Sequence, residues 1–220
     1  MGISAFFRSL LLVPLLALYL SSAAQDADAQ TTLYASGFSD LAEGDFPPDL
    51  TFRGGGMQID ASQGTAMLRF EGGSWFQVGL DSTLPESFAI EFDYFTNESN
   101  AVLFVSAFDA ATSQGPPSYS GYRQGQFHFF AIANTSVGVG VDSGSESLPK
   151  ASARNAAFTQ RAVPIRLEVR GNQARVFVDG NQVVIHPAAS IPRTDAVEFF
   201  YASLGSPGNG YLGDIRIVSL

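Results

Sequence analysis

The chain has 220 residues, a formal net charge of −9 and no cysteine, and 45% of its residues are hydrophobic. A chain of this length buries roughly 70% of its unfolded surface, so one globular domain is expected, and a disordered or collagen-like chain is excluded. Without cysteine there is no disulfide, thiolate metal site or cysteine nucleophile. Because 21 Asp and Glu residues outnumber 12 Lys and Arg residues, no nucleic-acid partner is expected.

Residues 1–24 have the pattern of a signal peptide. Arg8 precedes an apolar run, LLLVPLLALYL, and small residues follow it up to Ala24. The run is about half of the ~20 residues that a membrane-spanning helix needs, and Pro14 interrupts it. We therefore predict cleavage after Ala24, with Ala29 as the alternative, and export to the periplasm or the extracellular medium. No transmembrane segment is expected after cleavage, and a lipoprotein anchor would require a cysteine.

Short strands separated by turns are predicted for the rest of the chain. A flexible polar leader at residues 25–32 precedes them, and no long helical periodicity occurs. The candidate strands are Met57–Asp60, Ala66–Phe70, Trp75–Leu80, Ser87–Phe95, Ala101–Phe108, Gln126–Ala133, Val137–Val141, Val163–Arg170, Gln173–Val178, Gln182–His186, Ala196–Ala202 and Tyr211–Val218. This pattern predicts a single all-β domain over residues 33–220, an antiparallel sandwich or barrel.

One three-strand meander is defined best by its local pattern. Ile165, Leu167 and Val169 alternate with charged residues, so we expect them to face the core and the charges to face water. Gly171–Asn172 and Asp179–Asn181 then supply the residues that tight hairpin turns need, since these types tolerate positive φ.

Two long stretches, residues 110–125 and 142–160, are rich in Ser, Ala and Gly and interrupt the strand pattern. Loops of this length in a compact domain are either binding loops or surface insertions, and the sequence leaves both readings open. Tyr119 and Tyr122 lie in the first stretch beside Arg123, and we predict that these three contact a ligand.

Several passages together resemble a known superfamily. They are Phe38–Asp40, Gly44–Pro47, Gly72–Trp75, Leu84–Asp93, Val176–Asn181 and Gly213–Ile217. The chain resembles the concanavalin A-like lectin/glucanase (laminin-G-like) jelly roll, most closely the sandwich module found upstream of OmpA-like domains in bacterial envelope proteins. The resemblance implies two antiparallel sheets packed face to face, with the first and last strands close together. It also implies a concave face that carries a sugar site in lectins and glucanases.

Retaining glucanases of this superfamily carry a Glu-x-Asp-x-(x)-Glu pattern on one strand, which supplies the two carboxylates of glycoside hydrolysis. Glu91 and Asp93 match the start of the pattern, but Phe95 and Thr96 stand where the last acid should be, and Glu98 comes too late. We therefore expect a non-catalytic protein.

Glu91 and Asp93 should still share one face of their strand. They would line a sugar-binding groove or simply form the solvent side of the strand. An alternative is a glycoside-active enzyme that pairs one of them with an acid from another strand, such as Glu168 or Glu198.

The remaining candidate ligand contacts are a histidine and aromatic residues. His128 is predicted to lie within a strand, where a structural role is the competing interpretation. Trp75 and Tyr201 join the loop tyrosines as candidate stacking platforms for sugar rings, although Trp75 could instead fill the core.

The sequence implies no cofactor except, by the resemblance, a structural calcium ion. Superfamily members often hold calcium near the first and last strands with an aspartate and backbone carbonyls, and Asp40 and Asp214 stand at corresponding places. Ordinary turn aspartates are the alternative. The spacing Gly-x-Gly-x-x-Gly at residues 208–213 leads into a strand rather than a helix, so dinucleotide binding is not predicted.

Together these observations predict an exported, non-catalytic β-sandwich that binds glycan or cell-envelope material. The alternatives are the glycoside-active enzyme and a structural envelope protein that docks to a protein partner.

Overall fold

The computed structural model describes residues 30–108, 127–132, 136–141, 151–153, 157–159, 161–187, 194–203 and 208–220. Residues Thr31–Leu220 form one compact unit. Its described strands are β1 (Thr32–Ser36), β2 (Leu50–Gly54), β3 (Met57–Asp60), β4 (Met67–Glu71), β5 (Ser74–Gly79), β6 (Ser87–Thr96), β7 (Ala101–Phe108), β8 (Phe127–Ile132), β9 (Ser136–Val141), β10 (Ala151–Ala153), β11 (Val163–Arg170), β12 (Gln173–Val178), β13 (Asn181–Pro187), β14 (Ala196–Ser203), β15 (Asn209–Leu212) and β16 (Ile215–Ser219). A short 3₁₀ helix spans Ala157–Thr159. Within these ranges, no helix is long and apolar enough to cross a membrane.

The strands form two antiparallel sheets, which confirms the predicted all-β sandwich. The nine-stranded sheet has the order β13-β12-β11-β6-β15-β4-β3, and β16 also pairs with β6 and with β1. The seven-stranded sheet has the order β10-β9-β8-β7-β14-β5-β2. Pairing of β1 with β16 brings the first and last described strands together, as the resemblance implies.

A phenylalanine-rich core fills the space between the sheets. Phe199 of β14 stacks on Phe76 of β5 with ring centroids 5.0 Å apart, and both side chains are buried. Phe92 of the facing sheet meets Phe199 edge-on at 5.5 Å and Phe129 at 6.2 Å. Such ring pairs contribute beyond their buried area, so this cluster joins the two sheets without help from a disulfide.

The meander forms as its turn residues predict. Asp179 and Gly180 have φ of 55° and 75°, the two positive values that a type I′ hairpin turn requires. In the preceding turn only Gly171 has positive φ, at 56°, which is the pattern of a type II′ turn and leaves Asn172 in an ordinary conformation. Both turns are two residues long and fix the register of β11, β12 and β13.

The observed strands differ from the predicted strands in two ways. The strand predicted over Tyr211–Val218 is two strands, β15 and β16, which pair in succession along β6 and break at Gly213–Asp214. Gly213 donates its N–H to the Asp93 carbonyl, and a Cβ there would lie 2.9 Å from the Asp93 Cβ. β1, β2 and β10 lie outside the predicted set, because short polar or glycine-containing segments lack a clear alternation.

Candidate functional site

Each sheet has an inner face on the core and an outer face, and β14 shows the division clearly. Val197 and Phe199 belong to the core between the sheets, whereas Glu198 and Phe200 alternate with them and lie on the outer face of the seven-stranded sheet. Glu198 is only 1% exposed, which is unusual for a carboxylate on the outer side of a sheet.

Strand register aligns a polar row across this outer face. Glu198 lies opposite Gln77 of β5 and Ser106 of β7, and Ser106 lies opposite position 128, His128, of β8. Gln77 and Ser106 are also buried, and the Gln77 Nε2 donates to Glu198 Oε2 at 3.4 Å. The row therefore crosses four neighbouring strands on one face of the sheet.

An aromatic row runs beside the polar row. Phe200 lies opposite both Trp75 and Phe104, and Phe104 lies opposite Phe130. The Phe104 and Phe200 rings stack with centroids 6.2 Å apart. These side chains form a second hydrophobic cluster, separate from the core, against which the partly buried Trp75 packs.

Arg53 completes the arrangement at the β2 edge. It is the extra residue of an irregularity between Phe52 and Gly54, and β-bulges of this kind re-aim side chains near binding sites. Its Nε and Nη2 both donate to Gln77 Oε1, at 2.9 and 2.6 Å. A chain of hydrogen bonds therefore runs from the exposed Arg53 through Gln77 to the buried Glu198.

Gly54 holds Trp75 in position at this edge. A Cβ at Gly54 would lie 2.6 Å from the Trp75 Nε1, so the indole lies directly against the glycine backbone. We call Arg53, Gly54, Trp75 and Gln77, together with Glu198 opposite Gln77, the Trp75 site.

Glu91 and Asp93 lie together on the outer face of the nine-stranded sheet. Phe92, between them in the strand, is buried on the inner face. An open cleft of about 420 Å³ lies beside them. Arg166 and Arg216 each donate to a different oxygen of the Glu91 carboxylate, Arg216 at 3.0 Å. The structure thus has a groove next to Glu91, but the carboxylate is already engaged by two guanidinium groups.

The pKa values of two acids on this face shift in opposite directions. Burial raises the pKa of Asp93, and the nearby Asp214 carboxylate raises it further. Burial alone would also raise the pKa of Glu168, but hydrogen bonds from Arg170 and Arg166 outweigh it and hold the pKa below its usual range.

The expectation that the charges of β11 face water is wrong for Glu168, which is 5% exposed. Arg166 and Arg170 donate to its two oxygens at 3.2 and 2.5 Å, and Arg175 approaches at 3.7 Å. The guanidinium groups cover the carboxylate and replace its water.

The structure separates the predicted ligand contacts. Trp75 and the position of His128 lie on the seven-stranded sheet, whereas Glu91 and Asp93 lie on the other. Glu198 is therefore on a different outer face from Glu91 and cannot share a two-carboxylate site with it. The predicted contacts in the first long loop, Tyr119, Tyr122 and Arg123, lie outside the described residues.

Tyr201 is not a stacking platform, because its ring faces the core and packs edge-on against Phe70 at 4.9 Å. Its hydroxyl donates to Glu98 at 3.3 Å, and the Ser203 hydroxyl donates to the same carboxylate at 2.7 Å. Glu98 thus accepts structural hydrogen bonds at the end of the sandwich.

The structure places Asp40 and Asp214, the predicted calcium ligands, in different local settings. Asp214 Oδ1 accepts the Phe38 N–H at 3.1 Å, and Asp40 is exposed in a turn. Among the residues that the structure describes, no three His, Asp or Glu side chains converge as metal ligands. Calcium at these aspartates stays a prediction that depends on backbone carbonyls for most of its ligands.

Arg53, Gln77 and Ser106 were not among the predicted site residues. Alternation in β5, β7 and β14 could have marked Gln77, Ser106 and Glu198 as outer positions. No local signal marks Arg53, because its place depends on the bulge in β2.

No protein-family model matches the sequence, and a sequence comparison with curated proteins finds no match. Solved structures do match. The carbohydrate recognition domain of Emp47p is 11% identical with a TM-score of 0.65, covering 88% of this chain and 98% of its own. The fold is that of the lectin jelly roll. The VIP36 exoplasmic/lumenal domain, in a Ca²⁺/Man-bound form, is 12% identical with a TM-score of 0.60, covering 84% and 88%. A galectin-like protein of unknown function from Bacillus subtilis is 13% identical with a TM-score of 0.61, covering 86% and 97%.

Proposed function

We propose that this protein is a glycan-binding module and that it binds sugar at the Trp75 site. The observation that carries the proposal is a partly exposed indole that lies against Gly54, on the same sheet face as an exposed guanidinium that Gln77 holds. Sugar rings present C–H faces that stack on aromatic rings and hydroxyls that pair with polar groups, so a site needs both kinds of partner. The carbohydrate recognition domain and the Man-bound domain of the same fold support it.

The cleft beside Glu91 is the competing location for a sugar. Its carboxylate is already hydrogen-bonded to Arg166 and Arg216, so a sugar hydroxyl would have to displace a charge-assisted bond. At the Trp75 site the exposed Arg53 guanidinium contacts no carboxylate among the described residues, which favours that site.

A glycan array followed by calorimetry on the best oligosaccharide tests the proposal. Trp75→Ala should weaken binding at least about 10-fold, because stacking of a ligand ring on an aromatic side chain contributes on the order of 1–3 kcal/mol. Glu91→Gln is the matched control and should leave binding unchanged. The opposite result, loss with Glu91→Gln and none with Trp75→Ala, would move the site to the other sheet, and absence of any glycan hit would overturn the function.

We also propose that the protein is non-catalytic. The Glu91 carboxylate is already engaged by Arg166 and Arg216, and Glu198 lies on the other sheet. No reducing ends should be released from any polysaccharide that the array identifies. If they are released and Glu91→Gln abolishes the release, the glycoside-active alternative is correct.

Export completes the proposal. We infer a signal peptide at residues 1–24, a leader at 25–32 and the sandwich domain over 33–220, with the mature protein in the periplasm or outside the cell. The likeness to the module that precedes OmpA-like domains supports envelope material as the source of the glycan. N-terminal sequencing of the exported protein should begin at Gln25, and retention of the full N-terminus would contradict it.

A further inference from the structure

Arg53 differs from the other arginines in the described residues. Six of these seven arginines contact a carboxylate: Arg69, Arg161, Arg166, Arg170, Arg175 and Arg216. Among the described residues, Arg53 donates its hydrogen bonds to the neutral amide oxygen of Gln77, although the chain has a net charge of −9. In a protein with so many acids, an exposed guanidinium held away from every described carboxylate calls for a functional explanation.

The hydrogen bonds of Gln77 fix the direction of this guanidinium. The Arg53 guanidinium can only donate, so the Gln77 amide must present Oε1 to it and therefore Nε2 to Glu198. Oε1 then accepts from Nε and Nη2, which form one edge of the guanidinium. The other edge, between Nη1 and Nη2, keeps two parallel donors for a partner outside the described residues.

A carboxylate fits that free edge. Two parallel N–H groups match the two oxygens of a carboxylate, and this bidentate pairing is stronger and more directional than a single bond. The bulge in β2 places Arg53 beside Trp75, so an anionic substituent of a sugar stacked on the indole would reach the guanidinium.

We propose that the Trp75 site selects acidic sugars and that Arg53 is the residue that recognises their carboxylate. This inference rests on the proposed glycan-binding function and assigns the substrate class as uronic-acid-containing oligosaccharides. Glu198 and Gln77 act as positioning residues: they hold the guanidinium ready, so that little conformational entropy is lost when the ligand binds.

Calorimetry with a matched ligand pair tests the assignment. The pair is an oligouronate and the same oligosaccharide after reduction of its carboxyl groups to alcohols. Wild-type protein should bind the acidic form about 10-fold more tightly, since charge-assisted bonds at a partly exposed site are worth on the order of 1–2 kcal/mol. Arg53→Gln should abolish that preference, so that the acidic and the reduced form bind with similar affinity.

Two further variants keep the test decisive. Arg53→Lys keeps the charge but not the two parallel donors, so it should retain only part of the preference even if the glutamine variant folds poorly. Arg216→Gln, which removes an arginine of the other sheet, should change neither affinity.

The outcomes separate this inference from the proposed function. Equal binding of both forms, unaffected by Arg53→Gln, overturns the acidic-sugar assignment while glycan binding stands. Binding of neither form, with no other glycan bound, overturns the proposed function itself. Tighter, Arg53-dependent binding of a sulfated oligosaccharide with no carboxyl groups would overturn the choice of carboxylate as the recognised anion.

Discussion

Charged side chains on the outer faces of the two sheets have different kinds of partner. On the nine-stranded sheet, Glu91 and Glu168 each contact at least two arginines, so every one of these carboxylates is neutralised by its neighbours. On the seven-stranded sheet, Arg53 donates to the neutral side chain of Gln77 and contacts no carboxylate among the described residues. Charged groups that already pair with one another are poorly available to a ligand. A guanidinium that is held in place by a neutral amide, as Arg53 is, can still pair with an anionic ligand.

The comparison also concerns burial. The paired arginines of the nine-stranded sheet are a quarter to half exposed, with Arg166 at 25% and Arg170 at 51%. On the other sheet, Gln77, Ser106 and Glu198 are almost fully buried. Exposed pairs contribute little to stability, and buried polar groups are costly to disturb, so substitutions on the two faces should differ in size.

The largest effect should come from the core that both faces share. Phe199→Ala removes a buried ring that contacts Phe76 and Phe92, and we expect a loss of about 3–5 kcal/mol in the free energy of unfolding. Denaturant unfolding measures it. Phe52→Ala, at a ring that is 49% exposed, is the control and should cost much less. Similar losses for both variants would contradict the position of the core.

The next effect tests the difference between the two faces. Gln77→Ala removes the buried amide that joins Arg53 to Glu198, and we expect a loss of about 2 kcal/mol because buried partners lose hydrogen bonds. Arg216→Ala, on the other face, should cost less than about 0.5 kcal/mol, since Glu91 keeps its bond to Arg166. Equal costs would remove the distinction between the faces.

A smaller, pH-dependent effect is expected at Glu168. The hydrogen bonds from Arg170 and Arg166 hold its pKa below the unfolded value, so its contribution is present above the unfolded pKa and is lost as pH falls through the folded pKa. Glu168→Gln should therefore cost about 1 kcal/mol at pH 7 and progressively less in acid. Thermal unfolding between pH 7 and pH 3 measures the difference, and a cost that is independent of pH would rule out the charged network as its cause.

The sequence predicts local features of this fold well. The alternation in β6 and β11 assigns Phe92 and Leu167 to the core correctly, because side chains of a strand alternate with period two wherever the strand pairs. Asp179–Gly180 likewise predicts its own turn, since the requirement for positive φ is a property of those two residues.

The contacts that make the candidate site could not be predicted in the same way. Gln77 and Glu198 meet across 121 residues of sequence, and Arg216 reaches Glu91 across 125. These contacts depend on which strands become neighbours, and alternation within a strand carries no information about that. For the same reason the sequence identifies Trp75 and Glu91 as candidates but does not show that they lie on different sheets.

Substitution of Asp93 should have the smallest effect on stability, and the direction of that change is informative. Burial and the Asp214 carboxylate raise the pKa of Asp93 above its unfolded value, so ionisation is less favourable in the folded chain. A group of this kind destabilises the fold above the folded pKa, and the penalty disappears as pH falls below the unfolded pKa. Asp93→Asn should therefore raise the melting temperature at pH 7 by about 1 °C, with no gain at pH 3.

Glu91→Gln is the matched control for that experiment, two positions earlier on the same face of β6. It removes a carboxylate that Arg166 and Arg216 stabilise, so at pH 7 the melting temperature should fall rather than rise. If the melting temperature rises with one substitution and falls with the other, arginine contacts, rather than exposure alone, determine whether a carboxylate on this face stabilises the fold. A fall with both substitutions would mean that Asp93 also has a stabilising partner in the folded protein.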